Sequence, residues 1–444
     1  MEYKEVLERL KKEAERQRET IERNGDWLWH HPETGYREVK TQEFCLNVLE
    51  KYDVKIRTFD GVTGFVCKAD SGKPGPVIGL MAEMDSLINF QHPDHDPITG
   101  AAHSCGHSVQ MATTMGALTI LLESGILEEL GGKIVLVGVP AEECIEVEWR
   151  LEQIKNGKIH YLGGKQELIR RNAFKGIDVM IGIHTGISND HTFHPAGRHN
   201  GFISKKVEFI GKSAHAAGAP ELGKNALYMA NTALTALNGL RETFKDEDKV
   251  RVHPIITAGG EIPNAIPEKV CIECGCRANN IEAEVDAAEK FDRAMIAGAY
   301  AFNGHVKIET QPGYLPYIPT AEFDEIAIQT AEEIFGKGYG QPGEDTAGSE
   351  DMGDLNCLLP VIQVHINYMN TVQHSSDYRI EDYNIYHDSA LFLSALICKM
   401  LNHNGELTEL VKRKHKPLFV DILSYCRFID DMFSSEIYPK SNLK

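Results

Sequence analysis

In the first 200 residues the apolar positions come in short, nearly unbroken runs. "PVIGLMAEMD" (76–85), "KIVLVGVP" (133–140) and "VMIGIH" (179–184) scarcely alternate with polar residues. Strands buried on both faces of a sheet read this way. Between them, "SVQMATTMGALTILLESG" (108–125) and residues 164–172 carry helical spacing, and another helix is expected over 40–52. Strand alternating with helix predicts an α/β domain with a mainly parallel sheet flanked by helices. Near the N-terminus, Leu7, Leu10, Ala14 and Ile21 recur at helical spacing among charges, which predicts an amphipathic surface helix.

The rhythm changes near residue 200. "FISKKVEFIG" reads as a strand and residues 225–244 as a helix. "KVRVHPIITAG" and "KVCIECGCRA" are two more strands, residues 282–302 a second helix, and "HVKIETQ" a last strand. This β-α-β-β-α-β order is a ferredoxin-like α+β unit of about 110 residues. It is an insertion, because α/β character resumes after "GYLPYIPT". The expected division is an α/β domain of residues 1–199 and 314–402, an insert of residues 200–313, and a peripheral appendage of residues 403–444. The appendage contains "KRKHK", read as a solvated helix face.

Composition narrows the function classes. The chain has 444 residues, too many for one ordinary core, and a net charge of −19. That charge argues against sequence-independent nucleic-acid binding and against docking on anionic lipid. No apolar run reaches membrane-spanning length. Ten cysteines without a secretion signal read as reduced thiols of a cytoplasmic protein. In "VCIECGCR", strand alternation puts Cys274 and Cys276 on one face and Cys271 on the other. No second cysteine pair or nearby histidine completes a zinc site there, so all three are expected to pack the strand.

The chemistry concentrates just past the strand ends. "AAHSCGHSV" (101–109) places His103, Cys105 and His107 between a loop and a helix start. Alone, it could be a metal site, a reactive thiol or packing. Asp85 ends the first buried run, Glu142 and Glu143 follow the second, and His184 ends the third. Ligands of open α/β sheets bind in the crevice at that edge, so these groups can converge. Thiolate, imidazole and carboxylate together suit zinc, nickel, cobalt or manganese. Adjacent side chains of an extended segment point to opposite sides. One carboxylate of the Glu142–Glu143 pair can therefore hold a metal while the other takes a proton from water and passes it to a leaving nitrogen.

The stretches "HHPETGYRE" (30–38), "AEMDSL" (82–87), "HSCGHS" (103–108), "PAEE" (140–143), "IGIHTG" (181–186), "GKSAHAAGAP" (211–220), "GGEIPNAIPE" (259–268), "GSED" (348–351) and "QHSSDY" (373–378) form an ordered set. The set resembles the aminoacylase/carboxypeptidase-type dinuclear metallopeptidases, in the branch of hippurate, indole-acetyl-amino-acid and aminobenzoyl-glutamate hydrolases. The resemblance spans roughly residues 15–400. It implies a zinc-peptidase-like catalytic domain with the insert as lid and dimerisation domain, and hence a homodimer. It implies two divalent ions held by Cys105, His107, Glu143, His184 and His374, with Cys105 bridging. Glu142 becomes the general base and His215 the stabiliser of the oxyanion, reaching the partner subunit's site. Asn264 and Arg277 match positions that contact substrate carboxylate or carbonyl, and a guanidinium suits bidentate carboxylate recognition. The expected substrate is an N-acyl amino acid or small dipeptide-like conjugate, cut at its amide.

Departures from the family pattern lie near the expected substrate cavity. Ser108 replaces the usual Asp, Met81-Ala82-Glu83 replaces Arg-Ala-Asp, and the bulky run "CIEVEWRLEQ" follows the glutamate pair where glycines are common. The loop "INFQHPDHDPITG" (88–100) is also unusual. Its His92, Asp94, His95 and Asp96 read as a polar loop rather than a metal cluster, and Glu146 and Glu148 as a solvated face. His103 is expected to be a non-ligand, either supporting a ligand or exposed. Competing functions are a deacetylase of a modified amino acid, a non-catalytic binder of conjugates, and a cysteine hydrolase using Cys105 with His107. The last predicts activity that survives chelators and dies on thiol alkylation.

Overall fold

The computed structural model describes residues 3–439. The chain divides into two compact units, one of Met1–Gly197, Pro319–Glu344 and Leu355–Ile422, the other of Arg198–Ile318, Asp345–Asp354 and Leu423–Lys444.

The first unit contains strands β1 (Lys55–Phe59), β2 (Val62–Asp70), β3 (Val77–Glu83), β4 (Leu87–Ile88), β5 (Ala101–Ala102), β6 (Lys133–Val139), β7 (Val179–Gly186) and β8 (Phe193–Pro195). The second contributes β9 (Gly201–Ile210), β10 (Arg251–Ala258), β11 (Lys269–Ala278) and β12 (His305–Pro312). The chain then adds β13 (Val361–Asn367) to the first unit and β14 (Ser434–Tyr438) to the second.

The first unit's main sheet has seven strands in the order β1-β2-β6-β3-β7-β13-β8. The four central strands, β6, β3, β7 and β13, run parallel. They include the three continuous apolar runs, and their side chains are buried on both faces. The expected parallel core is thus present, and the edges add antiparallel strands to it. β1 and β2 pair antiparallel on one side and β8 antiparallel on the other, so the sheet is mixed. β1 is half exposed and mostly polar, which is why no apolar run announced it. Helix His107–Glu123 is buried from His107 through Leu121. A helix apolar all round demands neighbours on every side. Helices Tyr3–Trp29 and Asn384–Lys414 pack against it, and Leu7, Leu10, Ala14 and Ile21 face inward as their spacing predicts.

The second unit is a five-stranded sheet, β10-β11-β9-β12-β14, antiparallel throughout. Helices Ala226–Leu240 and Ile281–Ala301 cover one face. Alternation is strict in β11: Val270, Ile272, Cys274 and Cys276 face the helices, while Cys271 lies on the other side. Residues 403–444, read from sequence as one appendage, divide between the units. Leu418 and Phe419 donate main-chain hydrogen bonds to Cys357 in the first, and β14 adds an edge strand to β12 in the second. The short polar β14 carries no apolar signal, so its place depends on pairing alone.

Candidate metal centre

The parallel strands deliver their chemistry at one edge. β3 ends at Glu83, two residues before Asp85; β6 ends at Val139, before Glu142 and Glu143; β7 carries His184. Cys105 and His107 arrive from the turn into helix His107–Glu123. Gly106 makes that turn at φ +99, and a Cβ there would lie 2.4 Å from Thr185 Oγ1, so only glycine fits. His374 comes from the loop after β13, at φ +65, its N–H donating to the Ser104 carbonyl at 2.6 Å.

These groups form two trios that share one atom. The ligand atoms of Cys105, His107 and His184 lie within 4.8 Å of one another, as do those of Cys105, Glu143 and His374. Cys105 Sγ is 3.6 Å from His184 Nε2 and 3.3 Å from His374 Nε2, and His374 Nε2 is 3.4 Å from Glu143 Oε1. All five sequence-derived ligands are therefore together, with the thiol between the two groups. Buried polar atoms in proteins are normally hydrogen-bonded, yet among the described residues His107 Nε2 and Glu143 Oε1 are buried with no hydrogen bond of regular geometry, only Glu83 Oε2 at 3.1 Å and His374 Nε2 at 3.4 Å beside them. Such orphaned donors, with a thiol, three imidazoles and a carboxylate, fit divalent transition-metal ions. Burial by itself pushes the Cys105 thiol well above its ordinary pKa. A coordinated cation reverses that, since a thiol loses its proton to the metal.

Other groups orient these side chains. His107 Nδ1 faces the Asp85 carbonyl at 2.9 Å and Asp85 Oδ1 at 3.2 Å, the arrangement that aims the other ring nitrogen at a metal. Gln373 Nε2 lies 3.1 Å from His184 Nδ1 and donates to the Thr185 carbonyl at 2.6 Å. Glu142 Oε2 is 3.9 Å from His107 Nε2. The ligand atoms of Glu83, His107 and Glu142 form a further close group.

Sequence reasoning missed part of this surround. Glu83 is buried, 3.1 Å from His107 Nε2, and accepts from Gln110 Nε2 at 3.0 Å and from the fully buried Lys165. Burial would raise the Glu83 carboxyl, but Lys165 and His107 outweigh it and hold it near 2. The signal was available, since Glu83 is a charge at the end of a run whose every neighbour is buried. Lys165, in an ordinary-looking helix start, gave none. His103 is buried with neither ring nitrogen hydrogen-bonded, and burial lowers its pKa to about 3, so it is a neutral interior group. The 88–100 loop is pinned rather than metal-like: His92 Nε2 contacts the Tyr378 carbonyl at 2.8 Å and Trp29 donates to Asp94 at 3.0 Å. Glu146 is not solvated as read; it pairs with Arg37 at 3.1 Å.

His215, Asn264 and Arg277 belong to the second unit. His215 is exposed, and its Nδ1 accepts from the Ala217 and Gly218 N–H groups at 3.2 and 2.9 Å. That assigns the ring proton to Nε2, leaving an outward donor. Asn264 is its neighbour: the Ala216 N–H donates to the Asn264 carbonyl at 2.9 Å, and His215 bridges Ala265. Arg277 is not with them. It lies at the far end of β11, donating to Ser349 Oγ at 2.7 Å, with its guanidinium 5.2 Å from the Phe202 ring.

Residues 198–301 match the family model of the M20 peptidase dimerisation domain. The chain is similar to "IAA-amino acid hydrolase ILR1-like 4" of Arabidopsis thaliana, 25% identical over 75% of this chain and 73% of the relative. It is similar to "Xaa-Arg dipeptidase" of Mus musculus, 28% identical over 84% and 83%. Its fold matches a dinuclear metal-binding peptidase of the M20 family from Bacillus subtilis, with TM-score 0.68 and 20% identity over 87% of this chain and 99% of that one. Residues 198–301 thus carry an M20 peptidase dimerisation domain, and the chain as a whole has the fold of an M20 peptidase. The Cys105-centred trios lie outside that matched segment, in the first unit. Among the described residues, no helix is long and apolar enough to cross a membrane.

Proposed function

We propose that the protein is a metal-dependent amidohydrolase that cleaves N-acyl amino acids or small dipeptide-like conjugates to a carboxylic acid and an amino acid. The observation that carries this is the pair of ligand trios meeting at Cys105 with Glu142 alongside. Names of relatives acting on indole-acetyl amino acids and dipeptides favour this substrate class. Bound there, two divalent ions of zinc, manganese, nickel or cobalt supply Lewis-acid polarisation of the amide carbonyl and a water acidic enough to attack it.

The chain's residues do the rest. Glu142 takes the proton from the attacking water and delivers it to the departing nitrogen. Glu143, the adjacent residue, faces the ligand cluster. His215 Nε2–H donates to the oxyanion as the carbonyl becomes tetrahedral. Asn264 and Arg277 contact substrate carboxylate or carbonyl. Their separation along the second unit agrees with service to two active sites of a homodimer. β10 supports such pairing: among the described residues it is an unpaired sheet edge, with Ile255 and Ile256 about half exposed, at 52% and 45%. The reading includes a cytoplasmic setting and no nucleic-acid or membrane partner.

The test is elemental analysis of the purified protein beside Cys105→Ser and His374→Ala, followed by a panel of N-acyl amino acids with and without chelator. About two ions per chain, reduced in both variants, together with chelator-sensitive hydrolysis, is the expected result. No bound metal after loading, or turnover indifferent to chelator, rejects it.

A further inference from the structure

The bulky run after the glutamate pair has a structural purpose. Ala141, just before Glu142, sits at φ +53, in the left-handed region that side chains avoid. Such a turn persists only when its surroundings hold it. Here both flanking residues are held. The Ala141 N–H donates to Glu38 Oε1 at 2.8 Å, and the Ala141 carbonyl accepts from the Gly164 N–H at 3.1 Å. The Glu143 N–H donates to Asp85 Oδ2 at 2.9 Å, and the Glu143 carbonyl accepts from Arg150 Nη2 at 2.7 Å as well as from the Ile145 N–H at 2.8 Å. Gly164 permits this approach, since a Cβ there would meet the Pro140 carbonyl oxygen at 1.6 Å.

Arg150 is the unexpected member. It is fully buried, and its second hydrogen bond goes to another main-chain carbonyl, that of Leu162, at 2.9 Å. Its Nε makes none. An apolar side chain would fill this space at lower desolvation cost, but it could not hold two carbonyls at once. The loop 35–38 packs on the same segment from outside. Arg37 pairs with Glu146 at 3.1 Å and lies 4.1 Å from the Trp149 ring, while Tyr36 lies 5.5 Å from the Arg150 guanidinium.

We infer that residues 144–150, braced by loop 35–38, form a clamp on the Glu142–Glu143 turn, and that Arg150 is a positioning residue for the proton transfer carried by Glu142. Glu142 faces His107 while Glu143 faces Cys105 and His374, so turning the peptide between them would change what each carboxylate faces. The clamp prevents that turn. The inference rests on the reading of Glu142 as the base, and it concerns orientation rather than metal affinity.

Arg150→Met and Arg150→Lys in the metal-loaded, full-length protein test it. Arg150→Met is expected to lower kcat about 100-fold, the scale of a 1 Å misplacement. KM should stay within roughly threefold, as for loss of an interaction made only in the transition state. Metal content should remain at the wild-type value. Arg150→Lys should fall between, because an ammonium lacks the planar fork. Glu38→Leu should show the same kcat loss, and Glu38→Gln, which keeps an acceptor for Ala141, should recover most of it. If kcat holds in Arg150→Met, or falls only in step with lost metal, the inference is overturned. Should Arg150→Met not fold, an unchanged kcat in Arg150→Lys overturns it equally. Amide exchange across residues 140–146 reads the clamp independently of catalysis. Faster exchange in the Arg150 variants supports it and unchanged exchange rejects it, even if the wild-type protein hydrolyses no amide.

Discussion

The buried carboxyls Glu83 of the first unit and Glu284 of the second are held in opposite ways. In the first unit, buried charged groups share partners: Lys165 and Gln110 bond Glu83, His107 lies between Glu83 and Asp85, and Asp85 holds the Glu143 N–H. In the second, alternation sends most charge to the open sheet face, where Lys269 pairs with Glu208 at 2.6 Å. Its buried Lys205 is satisfied locally by Asp292 and Thr310 at 2.7 and 2.8 Å. Its buried Glu284 has no hydrogen bond at either oxygen, and burial pushes its pKa well above the usual carboxylate range. The difference shows what an interior charge requires. Where cations face a buried carboxylate, as at Glu83, the charge is kept; where none does, as at Glu284 and at the first unit's Glu38, which burial pushes up to about 8, the neutral form is favoured.

The sharpest test of the first half is Glu142→Gln, which removes the base and leaves the proposed ligands in place. Turnover should fall by about 10²–10⁴-fold with metal content intact, and a loss under tenfold would end the assignment. Next is Lys165→Met, which strands Glu83 in the interior. Breaking a buried pair from one side costs about 3–5 kcal/mol, read by urea unfolding of the first unit, and the Glu83→Gln, Lys165→Met double variant should recover much of it. Equal loss in single and double variants would mean that the pair is not coupled.

Glu284 tests the second half. Its folded pKa lies above its unfolded value of about 4.3. The neutral group's contribution is thus complete below the unfolded value and is lost as pH rises through the folded one. Wild-type stability should decline with rising pH more steeply than that of Glu284→Gln, measured as Tm from roughly pH 5 to 9. Parallel profiles would show that Glu284 does not titrate on unfolding. The smallest effect is expected from Lys269→Ala, an exposed pair that should leave Tm unchanged; a clear drop there would blur the contrast between the units.

Much of the architecture was legible because burial imposes a period. The two-faced runs at 77–83, 133–139 and 179–186 could only be interior strands, and alternation in 269–278 could only cover one face. Edge elements were not legible: β1 and β14 are polar and short, and pairing rather than burial places them. The candidates Cys105, His107, Glu142, Glu143 and His184 were legible because they lie at or near strand ends, where topology leaves them little freedom; His374 follows a strand that no reading of the pattern predicts, and only the family resemblance points to it.

By itself, then, the amino-acid order determined the two kinds of sheet, the edge at which the chemistry gathers, and Cys105, His107, Glu142, Glu143 and His184 as its candidates, with His374 added by the family resemblance. Only the tertiary structure decided that Cys105 stands between two ligand groups, that Glu83 and Lys165 are joined in the interior, and that Arg150 turns inward to hold Glu143. Period and propensity describe a residue's relation to water. Which two charges share one buried space depends on contacts between segments tens of residues apart, and no local pattern encodes those.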